Sequence, residues 1–230
     1  MNLIIDSLLD GAQKAEGTAI IIDVFRAFTT AAIAFSKGAK SIVLVDTPSK
    51  AIKLREQGVG DLCMGEVHGA KPDGFDFGNS PYELSLAEIR GQTLIHSTMA
   101  GTVGVTAAKN AEHIYLGSLV LAKATANRIL TDDPDVVTIV AMGGGGRFRT
   151  DEDEQCALYI RNLLEGRQPD TSAVRSLVLS GSESLKFSDS NQPQFHRKDI
   201  DMALEIDSCP FAIKVNRIDG LLIATPDQVL

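Results

Sequence analysis

Charged and hydroxyl side chains stand directly after short apolar runs at several places in the chain. Asp23 closes the run Ala19-Ile-Ile-Ile, and Arg26 follows three residues on. A carboxylate at the end of a buried strand can hold Mg2+ or act as a general base, and an arginine can clamp a phosphate or carboxylate in bidentate fashion. The same two residues also allow a structural Asp–Arg pair, or an aspartate capping the next helix. Ser97-Thr-Met-Ala-Gly-Thr102 follows another apolar run. Hydroxyls beside free helix amides make an anion site, for which Ser97, Thr98, Gly101 and Thr102 are the candidates, although serine and threonine also serve as ordinary N-caps. Gly143 to Gly146 leads into Arg147 and then the acids Asp151 to Glu154. It is neither a P-loop nor a dinucleotide fingerprint. The acids either favour a helix start through its dipole or supply one or two ligands to a hard cation, Asp153 being the candidate. His96 reads as a packed strand-end histidine, and no Cys–His pair suggests a thiol nucleophile.

The longest stretch without helical or strand periodicity is Gly65 to Pro81, GEVHGAKPDGFDFGNSP. Four glycines and two prolines shape it, and Phe75 and Phe77 look like its core anchors. Ordered loops of this length tend to carry function. Glu66, Asn79 and Ser80 are its candidate ligands.

These groups need elements to position them. Ala19 to Phe25, Ser41 to Val45, Asp61 to Gly65, Gln92 to His96, His113 to Leu116 and Val136 to Ala141 are short runs typical of buried strands, with a weaker strand and turn at Met1 to Leu9. Helices are expected over Arg26 to Phe35 (capped near Thr29 and closed by Gly38), Pro48 to Gln57, the stretch after Thr102, Val120 to Leu130 and Asp151 to Glu165. The alternation implies a layered α/β/α fold on a mostly parallel, mixed sheet. Ligands then collect beyond the carboxyl ends of the strands, where Asp23, Arg26, Glu66, Ser97 to Thr102 and Gly143 to Asp153 converge. After Gly166 the pattern changes, with helices at Ser172 to Leu185 and Asp199 to Leu204, a polar loop from Lys186 to Arg197, and a hairpin of Ala212 to Asn216 with Gly220 to Ala224. No flexible linker appears, so residues 1–230 are expected to form one domain, with a possible sub-lobe from about 167.

The totals narrow the class. A formal net charge of -8 argues against a nucleic-acid or acidic-membrane partner. Three widely spaced cysteines suit a reducing compartment and suggest neither a disulfide framework nor a zinc site. No uninterrupted apolar stretch is long enough to span a bilayer, and the first residues lack the pattern of a signal peptide. A cytoplasmic protein is expected.

Taken together, IIDVFRAFTT, GEVHGAKPDGFDFGNSP, STMAGT, GGGGRFRTDEDEQCA and CPFAIKVNRIDGLL resemble the 2-phosphosulfolactate phosphatase family over nearly the whole chain. The resemblance implies a Mg2+-dependent phosphatase acting on the phosphate ester of a small 2-hydroxy acid, releasing sulfolactate on the route to coenzyme M. It also implies a homo-oligomer, a dimer first. On that reading Asp23, Glu66 and Asp153 hold the metal. Arg26 and Arg147 bind phosphate or the substrate's acid group, Ser97, Thr98 and Thr102 donate hydrogen bonds, and Asn79 and Ser80 orient the substrate. The chain departs from the family pattern at Phe28, Met99-Ala100 and Arg149-Thr150. The Met99-Ala100 change opens one alternative, an anion-binding homologue without hydrolysis; a lyase or transferase on the same scaffold, needing a second substrate pocket, is another.

Overall fold

A computed structural model describes residues 1–228. Nine strands form one mixed sheet in the order β1-β7-β2-β6-β8-β9-β3-β5-β4. They are β1 (Asn2–Ser7), β2 (Gly17–Ile22), β3 (Ser41–Val45), β4 (Leu62–Gly65), β5 (Thr93–Ser97), β6 (Ala111–Gly117), β7 (Val136–Ala141), β8 (Phe211–Ile218) and β9 (Leu221–Gln228). Strands β1, β7, β2 and β6 are mutually parallel, as are β3, β5 and β4. Strand β2 is buried on both faces, which is why its sequence is continuously apolar instead of alternating.

Between the two parallel blocks lies the C-terminal hairpin. Strand β8 pairs antiparallel with β6, and β9 pairs antiparallel with β3. Its register closes Ile218 on Leu221, so the turn is the two residues Asp219 and Gly220. Both have positive φ, 50° and 78°, the conformation that suits a tight hairpin. The segment that closes the chain therefore sits in the middle of the sheet.

The helices are α1 (Leu8–Lys14), α2 (Ala27–Ser36), α3 (Pro48–Glu56), α4 (Pro81–Ser85), α5 (Gly101–Ala107), α6 (Ala122–Asp132), α7 (Asp151–Leu164), α8 (Thr171–Ser180) and α9 (Arg197–Ala203). Apolar groups of α1, α2, α4 and α5 fill one core with alternate residues of the strands, such as Ile21, Ile42 and Leu94. Helices α6 to α9 fill a second core on the opposite face with Ile20, Tyr115 and Ile139, and α3 covers Val43 and Ile95.

Helix α5 shows that the sheet is curled. It approaches β2, β3 and β5 closely, yet β2 and β3 are four steps apart in the strand order. Four steps of a flat sheet would span about 19 Å, nearly twice a helix diameter. The two blocks must bend around the small-residue helices α2 and α5, and that curvature brings the carboxyl ends of β2, β4, β5 and β7 to one place.

Several boundaries differ from expectation. Leu8 to Lys14 is a helix, not a turn. Helix α2 starts at Ala27, and Thr29 lies inside it, its Oγ1 donating to the Val24 carbonyl at 2.8 Å. The helix expected from Ser172 ends at Ser180 and gives way to a 3-10 segment, Ser182–Ser188. The loop after β4 is ordered as expected, with Phe75 buried against Ala51 and Cys63 and Phe77 packed on the first core. Among the described residues no helix is long and apolar enough to cross a membrane.

Candidate active site

Three carboxylates tie the loops at this edge together, each by accepting two backbone amides from different segments. Asp23 accepts from Ala27 N (3.0 Å) through Oδ1 and from Gly101 N (2.8 Å) through Oδ2. It thereby sits on the starts of α2 and α5 at once. Glu66 accepts from Met99 N and Gly69 N, both at 2.8 Å. Asp153 accepts from Val24 N (2.7 Å) and Gly143 N (2.8 Å). Glycine is required at 101 because a Cβ there would lie 2.8 Å from Asp23 Oδ2 and 2.9 Å from the Phe28 ring.

A cleft of about 350 Å³ opens among these loops. Asp23, Glu66 and Glu152 present carboxylates to it, and Arg26, Asn79 and Arg147 also line it. Burial pushes the Asp23 carboxyl up to about 6, a shift that the nearby Glu66 charge reinforces and the two amides oppose. Burial likewise pushes Glu152 up to about 7, with Glu183 and Asp23 adding like charge. Asp153 is raised well above its ordinary value by burial and by Glu152, but it does not line the cleft; its two oxygens face backbone behind the wall. The four acids at the start of α7 thus divide. Glu152 faces the cleft, Asp153 fixes backbone, Glu154 accepts from Ser7 Oγ at 2.7 Å and pairs with Arg149, and Asp151 is exposed.

Arg26 is in the cleft wall but is not free. Its Nη1 meets Asp199 Oδ2 at 2.8 Å and the Gln194 carbonyl at 2.7 Å, and its Nη2 reaches the Gly69 carbonyl at 3.1 Å. Its partner is therefore Asp199, not Asp23. Ser80 caps α4 and donates to Asp199 Oδ1 at 2.6 Å, outside the cleft lining. Asn79 Oδ1 lies 3.3 Å from His96 Nε2. His96 is fully buried, and burial holds its imidazole down to about 3, the neutral packed histidine that its strand position suggests.

The hydroxyl cluster occupies the next space. Ser97 and Thr98 line an adjoining cavity of about 290 Å³ that shares Glu66, Met99 and Arg147 with the cleft. Thr98 and Thr102 satisfy each other: Thr98 N donates to Thr102 Oγ1 at 2.8 Å, and Thr102 N donates to Thr98 Oγ1 at 3.2 Å. Gly101 N is taken by Asp23. A larger groove of about 1000 Å³ runs along the opposite sheet edge, between acids and lysines, and contains none of the candidate residues.

One wall of the cleft comes from the segment after α8, which spans the end of the helix expected from Ser172 to Leu185 and the polar loop expected from Lys186 to Arg197. Glu183, Lys186, Gln192 and Phe195 all face the cleft. An aromatic chain fastens them: Phe25 packs on Phe187 with ring centres 5.0 Å apart, and Phe187 on Phe195 at 5.7 Å. The visible signal was the spacing of Phe187 and Phe195 within an otherwise polar stretch.

Residues 4–216 match the family model described as 2-phosphosulpholactate phosphatase. Curated relatives bear the name "Probable 2-phosphosulfolactate phosphatase". One from Bacillus subtilis is 35% identical over 204 residues, covering 87% of each chain. One from Clostridium acetobutylicum is 35% identical over 175 residues, 74% of each chain. One from Deinococcus radiodurans is 36% identical over 165 residues, 71% of this chain and 68% of the relative. The match runs through both parallel blocks and all the loops that build the cleft, and the chain belongs to the 2-phosphosulfolactate phosphatase family.

Proposed function

We propose that this chain hydrolyses the phosphate ester of a small 2-hydroxy acid such as 2-phosphosulfolactate, with Mg2+ as cofactor. The observation that carries the proposal is the placement of Asp23, Glu66 and Glu152 on one cleft with Arg147 at its side, in a chain of this family. Water oxygen bonds to phosphorus, the ester P–O bond breaks, and the hydroxy acid leaves with a proton while inorganic phosphate remains.

The donor set suits a hard cation. Each oxygen of Asp23 and Glu66 accepts one amide, and a carboxylate oxygen has a second lone pair to offer. Among the described residues no three His, Cys, Asp or Glu side chains are gathered into a metal cage. Mg2+ is ordinarily held by one or two carboxylates with waters and substrate phosphate, so in this proposal Asp23 and Glu66 hold it and Glu152 faces the same space. Bound there, the ion would neutralise phosphoryl charge. Arg147 receives phosphate oxygens, and the amides fixed by Asp23, Glu66 and Asp153 keep the loops in place. Assembly as a homodimer in the cytoplasm belongs to the same proposal and is checked by light scattering and cell fractionation.

The direct test measures phosphate release from phosphosulfolactate and phospholactate with Mg2+ and with EDTA. Release that requires the metal is the expected result. Binding of both esters without release would instead leave an anion-binding homologue.

The carboxylates also set the response to pH. Asp23 is raised from 3.8 to about 6, and Glu152 from 4.5 to about 7. The folded protein then holds more protons than the unfolded chain between these limits. Their contribution to stability is full below the unfolded values and is lost as pH rises through 6 to 7. The melting temperature of EDTA-treated protein should fall between pH 5 and pH 8, and Mg2+ at pH 8 should recover it. A melt indifferent to Mg2+ at pH 8 would count against the metal site.

A further inference from the structure

The cleft is lined by the buried carboxylates Asp23 and Glu152 and by two partly exposed cations from separate segments of the chain, Arg147 and Lys186. Arg147 belongs to the glycine loop after β7, is exposed, and has no ion-pair partner among the described residues. Lys186 belongs to the 3-10 segment Ser182–Ser188 and, among the described residues, pairs only with Glu183 on the same turn. Its side chain keeps 32% of its exposure. Arg26 lies on the same aromatic ring as Lys186, with its guanidinium carbon 4.8 Å and the lysine nitrogen 5.7 Å from the centre of Phe195. Asp199 neutralises Arg26 and two carbonyls take two more of its five N–H donors, so it adds little free charge to an incoming anion. An ammonium has three donors, and Glu183 uses one, which leaves Lys186 able to bind a second acid group.

Resting on the phosphatase reading above, we infer that Lys186 recognises the non-reacting acid group of the substrate, so that this wall selects phosphate esters carrying a second anion. The phosphoryl group faces the buried carboxylates and Arg147. The carboxylate or sulfonate reaches Lys186 and displaces Glu183 from it. Phe195 and Phe187 fix the turn to the sheet, because their packing continues to Phe25, three residues beyond β2.

The test compares 2-phospholactate with its uncharged amide on the full chain and on Lys186→Met and Lys186→Arg. Loss of one charge-assisted hydrogen bond should lower kcat/KM for phospholactate about 10- to 30-fold in Lys186→Met, chiefly through KM. The amide should change less than about threefold, and Lys186→Arg should restore most of the loss. Equal losses for acid and amide, or no change for either, would overturn the assignment. Calorimetric binding of both compounds is measured in parallel. If the unmodified protein releases no phosphate yet binds the acid over the amide in a Lys186-dependent way, the phosphatase reading fails and the role of Lys186 stands. If it binds neither, both fail. Glu183→Gln is a second variant that leaves the lysine in place: freeing the ammonium should tighten binding of the acid and not of the amide, and the reverse order would count against the displacement.

Discussion

Asp23→Asn is expected to lower phosphate release about a thousandfold on the Mg2+ reading proposed above, because a carboxylate that neutralises phosphoryl charge through a metal would supply several kcal/mol to the transition state. The change also reaches the fold. Asp23 accepts Ala27 N on one oxygen and Gly101 N on the other. Asparagine can accept only one of them, and its amide nitrogen then faces the other N–H donor to donor. Leaving one buried donor unsatisfied costs about 1–3 kcal/mol, a drop of several degrees in melting temperature. The two effects separate experimentally. Melting reports the lost amide bond, and a Mg2+ titration of phosphate release reports the lost ligand. Turnover within tenfold of the unmodified protein, with the same Mg2+ dependence, would remove Asp23 from the reaction and leave it as the clamp between α2 and α5.

The strands were legible because β2 and β7 are buried on both faces and read as largely apolar runs, and the hairpin because its connection was expected within Arg217 to Gly220, although the strands run on and leave only Asp219 and Gly220 in the turn. Their order was not, since pairing between distant strands leaves no local trace. Nothing in Phe211 to Ile218 says that it separates two parallel blocks. Helix α1 was missed because its seven residues include Gly11 and it has no side-chain cap. At the site, a strand-end position was enough to place Asp23, Glu66 and Arg147 on one cleft. It could not separate Glu152 from Asp153: both are buried acids in the first turn of α7, and a step of one residue turns the side chain by about 100° from the cleft to the backbone. The hydroxyls of Thr98 and Thr102 looked free for an anion, yet each serves the other's backbone. Lys186, Phe195 and Asp199 reach the site from a polar stretch more than a hundred residues after Asp23, and only tertiary packing places them there.

Asp199→Ala is expected to destabilise the protein by about 3–5 kcal/mol, the cost of leaving a buried charge without its partner. Asp199 is fully buried, and Arg26 retains 3% exposure. One oxygen of Asp199 holds Arg26, and the other accepts from Ser80 Oγ at 2.6 Å and Tyr82 N at 3.1 Å. This carboxylate therefore joins the β2–α2 junction, the start of α4 and the C-terminal segment in one network. In a chain of this size the loss corresponds to a fall in melting temperature of about 10 °C. Substituting both partners discriminates the cause. Arg26→Met combined with Asp199→Ala removes both charges, and the double variant should be clearly more stable than the sum of the two single effects. It should still be poorly active, because Arg26 also holds the Gly69 and Gln194 carbonyls that shape two sides of the cleft. A loss below about 1 kcal/mol for Asp199→Ala, or simple additivity in the double variant, would show that Ser80 and the surrounding backbone hold the wall without the ion pair.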